Sequence, residues 1–166
     1  MSTYQTSLFR RTSMILLCLL LTACANHFDF YKQRANRIQA HTHAFQTNLM
    51  ANRFEEAIYE NEEIEATASE VANAIKKRSQ PLPNGEVDHE WKLLKTAIDT
   101  AAGNWLVLAR RLTANKQYDQ ARAAYQRVID TYTGEAEQQF RERAARSKRD
   151  IDILNPPTIS TSAPRS

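Results

Sequence analysis

Two cysteines, four histidines and a dense set of glutamates are the residues of this chain whose side chains could do chemistry. Cys18 sits inside an apolar run, Met14 to Leu21, and Cys24 follows shortly after it. His41 and His43 are two positions apart, which on a helix points them about 200° away from each other, so they cannot share a metal ion. With His27 and His89 they read as surface histidines. Glu62 and Glu63 are adjacent and diverge in the same way, so they read as solvated rather than as an acid and base pair. The chain holds no Gly-rich phosphate loop, no Gly-x-Ser-x-Gly and no His-Glu-x-x-His. Catalysis needs convergent polar groups in a sheltered site, and no motif promises one. The expectation is therefore a chain that is not an enzyme and carries no cofactor or metal.

The segment around Cys24 has an order of its own. Arg10 and Arg11 supply a positive flank, and Met14 to Leu21 is an apolar run too short to span a bilayer. Leu21-Thr22-Ala23-Cys24 then closes it with small residues before the cysteine. This resembles the lipobox of bacterial lipoproteins. The resemblance implies that residues 1–23 are a cleaved signal peptide and that Cys24 becomes a diacylated, palmitate-bearing first residue. Ala25 resembles the permissive second residue of lipoproteins exported to an outer membrane. The implied location is the periplasmic face of that membrane, or the outer face of the cytoplasmic membrane where the source has no outer one.

Loss of residues 1–23 removes Arg10, Arg11 and Cys18 and lowers the formal charge from +3 to +1. No global basic field then remains to draw in nucleic acid. Cys24 is the sole remaining cysteine, so disulfides are excluded and stability must come from packing. A remaining length below about 150 residues fits one domain with a modest core. Three glycines and no long β-branched run favour an all-α domain.

The elements follow from apolar spacing in steps of three and four. After a tether of residues 24–27, a first stripe runs through Phe28, Tyr31, Ala35, Ile38, Thr42, Phe45 and Leu49. A second runs through Phe54, Ala57, Ile58, Asn61, Ile64, Ala68, Val71, Ala72 and Ile75, with an acidic outer face from Glu55 to Glu70 that reads as solvated. Ser79 to Glu86, with Pro81, Pro83 and Asn84-Gly85, interrupts the pattern. Helix 3 carries Trp91, Leu94, Ile98, Ala101, Trp105, Leu108 and Leu112. Gly103 lies off that stripe, which leaves open both a straight helix and a break there. Helix 4 presents Tyr118, Ala121, Tyr125 and Val128, and Gly134 is suited to a left-handed cap after it. Helix 5 presents Phe140, Ala144, Ser147, Ile151 and Leu154, with Arg141, Arg143, Arg146, Lys148 and Arg149 on its other faces. The domain thus covers 28–154, and residues 155–166 read as a disordered tail.

The halves look alike around their turns. Leu49-Met50-Ala51-Asn52-Arg53-Phe54 matches Leu112 to Tyr118 with one inserted residue, and Asn61 and Ile64 then meet Tyr125 and Val128. This reads as a duplicated hairpin, with two unrelated amphipathic hairpins as the alternative. Trp105, Leu108, Ala109, Leu112, Tyr118, Ala121, Tyr125 and Val128 fall at the spacings of a tetratricopeptide repeat, which the second hairpin resembles. Lys116 stands where that family has a turn glycine and Thr133 where it has a proline. A short TPR-like array and an irregular bundle both remain open.

That resemblance implies a protein-binding adaptor in the cell envelope, within an assembly or secretion complex. Its first-helix face carries over to Leu106, Arg110 and Thr113 as partner-binding residues. The alternative is a structural envelope lipoprotein that meets anionic lipid, lipopolysaccharide or cell-wall polymer through the basic helix 5. Neither reading involves nucleic acid or a small-molecule substrate.

Overall fold

The computed structural model describes residues 31–78 and 84–156, and over these the chain is all-α, five helices without a strand. Helix α1 occupies residues 31–50. It is followed by α2 (Phe54–Lys77), α3 (Asn84–Ala114), α4 (Tyr118–Thr131) and α5 (Gln138–Leu154). The signal-like segment, Cys24, Phe28, Pro81, Pro83 and the tail from residue 157 lie outside the described residues. Helix α3 begins at Asn84, earlier than the Asn84-Gly85 pair suggests, so both residues form its first turn.

Consecutive helices pack on one another from α2 to α5, and α3 also touches α5. Ion pairs tie α1 to α2: Arg37 Nη1 lies 3.3 Å from a Glu70 carboxylate oxygen, and His41 Nδ1 lies 2.6 Å from Glu60 Oε2. His41 is therefore a half-buried helix-to-helix partner, which corrects its reading as a surface histidine. The expected stripes meet in one core, where Ile38, Phe45, Ile64, Leu108, Ala121, Tyr125 and Val128 are all buried. Trp105 is buried as well.

The hairpins share one turn. In α1–α2, Arg53 N–H donates to Asn48 C=O and Asn52 N–H to Leu49 C=O. In α3–α4, Gln117 N–H donates to Leu112 C=O and Lys116 N–H to Thr113 C=O. Each is a Schellman closure, and each needs its C′ residue in the left-handed region: Asn52 has φ 56° and Lys116 φ 61°. The hydrogen-bond ladders make Asn52 equivalent to Lys116 and Arg53 to Gln117. The extra residue that side-chain matching placed in the second turn is thus absent from the backbone. Gly134 corrects another expectation, because no described glycine has positive φ. Helix α4 ends instead at Tyr132, with φ −96° and ψ 69°.

Helix α3 runs unbroken through Gly103, where a Cβ would meet nothing within 4 Å. At 31 residues it is roughly 46 Å long, against roughly 21 Å for the 14 residues of α4. That mismatch shapes the surface. Helix α4 covers only part of α3, and Trp91, expected in the core, is 55% exposed near the start of α3; Leu154, also expected in the core, is 83% exposed as the last residue of α5.

Candidate functional site

Where α4 runs out, the α2–α3 interface is left partly unroofed and forms a cleft of about 360 Å³. Its floor is apolar, made by Ala68 and Ala72 of α2 with Leu94, Ile98 and Ala101 of α3. Small residues come from α2, so the two helices approach closely while the larger α3 side chains leave a trough between them. The wall is the turn from Thr131 to Glu137, together with Glu65.

Glu65 is the polar centre of that wall. Its Oε1 accepts from Trp105 Nε1 at 2.8 Å and from the Tyr132 hydroxyl at 2.6 Å. Its Oε2 accepts from Arg127 Nη2 at 2.6 Å. Arg127 also reaches Glu62 Oε1 at 3.0 Å, and its guanidinium carbon stands 4.5 Å from the Trp105 ring centroid. Three charge-assisted bonds on one carboxylate, with a cation over the indole face, fix both aromatics in single orientations. Burial first, and then the hydrogen bond to the Glu65 carboxylate, holds the Tyr132 phenol well above the usual tyrosine value. The chain leaving α4 is pinned in addition by Arg141, which donates to Tyr132 C=O at 2.6 Å and to Gly134 C=O.

The acidic run of α2 was expected to be solvated, and this is corrected at Glu60 and Glu65, whose side chains are only 19% and 17% exposed, whereas Glu62 and Glu70 stay exposed while pairing across helices. Glu60 and Glu70 pair with α1, while Glu62 and Glu65 pair with α4. Glu55 and Glu56 remain exposed. Sequence reasoning missed Glu65 and Tyr132 as a pair. The usable signal was spacing: Glu65 lies four residues after buried Asn61, and Tyr132 lies four after buried Val128.

A second buried polar contact lies beneath this site. Asn61, fully buried, donates from Nδ2 to Ala101 C=O at 3.1 Å and accepts from Asn104 Nδ2 at 2.9 Å. Its partners are thus supplied by α3, which locks the register of α2 against the floor of the cleft.

The three residues expected to bind a partner are not one surface. Leu106 is 1% exposed on a helix that packs against α2, α4 and α5; it belongs to the core and is withdrawn as a contact residue. Arg110 is exposed, with Nε bonded to Leu106 C=O at 3.2 Å. Thr113 is half-buried and its hydroxyl donates to Ala109 C=O at 2.8 Å. Cys24, the expected lipidation site, lies outside the described residues.

A further groove separates α1 from α3. One stretch, about 420 Å³, is lined by Tyr31, Lys32, His89, Lys92 and Leu93, and the adjoining stretch, about 430 Å³, by Ile38, Gln39, His43 and Thr96 among others. No set of three or more His, Cys, Asp or Glu side chains among the described residues could hold a metal ion. No described helix is long and apolar enough to cross a membrane. No protein-family model, curated protein or solved structure matches this chain.

Proposed function

We propose that this chain is a lipoprotein anchored through Cys24, and that its helical domain is a non-enzymatic adaptor that holds a partner protein at the membrane of the cell envelope. The periplasmic face of an outer membrane is the location that Ala25 favours. The observation that carries the adaptor reading is the cleft beside α4. An apolar trough of side-chain dimensions, walled by the prefixed Glu65 and Tyr132 pair, suits insertion of an apolar side chain whose neighbours bond at the rim. The hairpin pair with matching Schellman turns supports a TPR-like reading of the scaffold, a family whose role is to bind proteins.

A photo-crosslinking residue at Ser69, on the cleft rim, should trap one partner protein in intact envelopes. Filling the trough with Ala72→Trp should abolish the product. An identical crosslink pattern from exposed Tyr59, away from the cleft, would defeat the assignment, as would survival of the Ser69 product in Ala72→Trp. The rival reading, contact with anionic lipid or wall polymer through α5, is favoured by one observation. Arg143, Arg146 and Arg149 are exposed at steps of three along that helix. Binding through these charges should fade steeply with ionic strength, whereas capture in the trough should persist.

A further inference from the structure

Trp91 is 55% exposed on a helix whose other expected core residues are buried, at Leu94, Ala101, Trp105, Leu108 and Leu112, or half-buried, at Ile98. A half-exposed indole is an unusual expense of apolar surface on a domain with a modest core. Its neighbours on α3 are also exposed: Lys92 beside it and Lys95 one turn on. Lys32 of α1 joins Lys92 and His89 around one groove. An exposed indole with exposed lysines next to it on the helix matches the chemistry of the bilayer interface, where Trp settles at headgroup level and Lys meets lipid phosphate.

The position of this patch in the chain supplies the second argument. The Tyr31 hydroxyl donates to Glu90, the residue next to Trp91, and Glu90 is held in turn by Arg78. Trp91 therefore lies at the end of the domain where α1 enters. Tyr31 lies seven positions after Cys24, a reach of at most about 25 Å. A lipid on Cys24 would tether this end of the domain close to the membrane.

We infer that the start of α3 is a membrane-contact surface, in which Trp91 enters the headgroup region of the bilayer that carries the Cys24 lipid and Lys92 and Lys95 meet its anionic phosphates. This rests on the lipoprotein reading above. Asp88 is exposed nearby, and Lys95 shares its charge with Asp99 at 2.5 Å, so the indole is the larger contribution and the lysines orient it. Docking in this way would fix the azimuth of the domain.

The test uses the lipidated full chain in vesicles of phosphatidylethanolamine and phosphatidylglycerol, with and without phospholipids brominated near the headgroup. The chain has two tryptophans, and Trp105 is 3% exposed, so it serves as the internal reference. Blue-shifted emission, quenched by the brominated lipid and lost in Trp91→Phe, is the expected result. Replacement of Lys92 by Gln, which removes one positive charge, should lower the docked to undocked ratio about fivefold. Vesicle-bound protein whose emission is unaffected by bromine would overturn the docking while leaving the anchor intact. Equal vesicle retention of wild type and Cys24→Ala would instead overturn the anchoring on which it rests.

Discussion

Replacing Glu65 by Gln isolates the electrostatic part of the cleft wall, because volume and one acceptor oxygen are kept while the charge is lost. In the native protein the carboxylate accepts three bonds at 2.6 to 2.8 Å from Trp105, Tyr132 and Arg127. Bonds to a charged group contribute about 1.5 to 3 kcal/mol each and neutral ones about 0.5 to 1.5. The amide also turns an N–H₂ toward one of the three donors and leaves that donor without an acceptor. Glu65 is 17% exposed, so solvent restores only part of the loss. A destabilisation of about 2 to 4 kcal/mol follows, which for a domain of this size lowers Tm by about 8 to 16 °C. The exposed Glu56 of the same acidic run gives the control, where Glu56→Gln should change little. Thermal unfolding followed by circular dichroism reads both. A double-mutant cycle with Tyr132→Phe should return a coupling energy of about 1 kcal/mol or more, since the two groups share a bond. Equal melting temperatures for the two glutamine variants would refute the reasoning, as would strict additivity of Glu65→Gln with Tyr132→Phe.

The turns predict a reversal of the usual expectation about glycine. Lys116→Gly relieves a left-handed lysine and should stabilise by about 0.5 to 1 kcal/mol in denaturant unfolding, whereas Gly134→Ala should be near neutral, since Gly134 lacks positive φ and the new Cβ would meet only the flexible end of Glu137. Alkaline unfolding should be steep. Burial first, and then the bond to Glu90, pushes the Tyr31 phenol up to about 12, and Tyr132 is raised too. Raised folded values mean stability that is complete below the unfolded tyrosine value near pH 10 and is lost as pH climbs toward the folded ones, by up to about 1.4 kcal/mol per pH unit per tyrosine. Stability measured between pH 9 and 12 should therefore fall less in Tyr132→Phe than in wild type. Arg122 is 9% exposed and clamps α4 to the end of α5, donating to Asp119 at 2.6 Å, to Asp152 at 2.7 Å and to Asn155 C=O. Arg122→Ala should raise amide exchange in the last turns of α5 ahead of the rest of the domain. Trp105→Ala should cost about 3 to 5 kcal/mol by chemical denaturation, and an unchanged midpoint would contradict its place in the core.

Helix content, the stripes from Ile38 to Ile151 and the pairing of α1 with α2 and α3 with α4 were legible in the sequence, because a period of 3.6 and short turns are local properties. Matching of side chains across the two turns put an extra residue in the second one, since Leu49 resembles Leu112. The backbone ladder instead makes Leu49 the counterpart of Thr113, and hydrogen bonds rather than residue types set that register. Whether a face is covered is a different kind of fact. Trp91 and Leu106 lie on one helix; the first was expected inside and the second outside, and the reverse holds. Periodicity says which residues share a side of α3, but only the lengths and placement of α1, α4 and α5 decide which levels of that side are roofed. The same limit hid Glu65, whose three donors come from Trp105, Arg127 and Tyr132, forty or more positions away along the chain. A carboxylate's sequence neighbours predict its exposure when nothing else approaches, and here two later helices do.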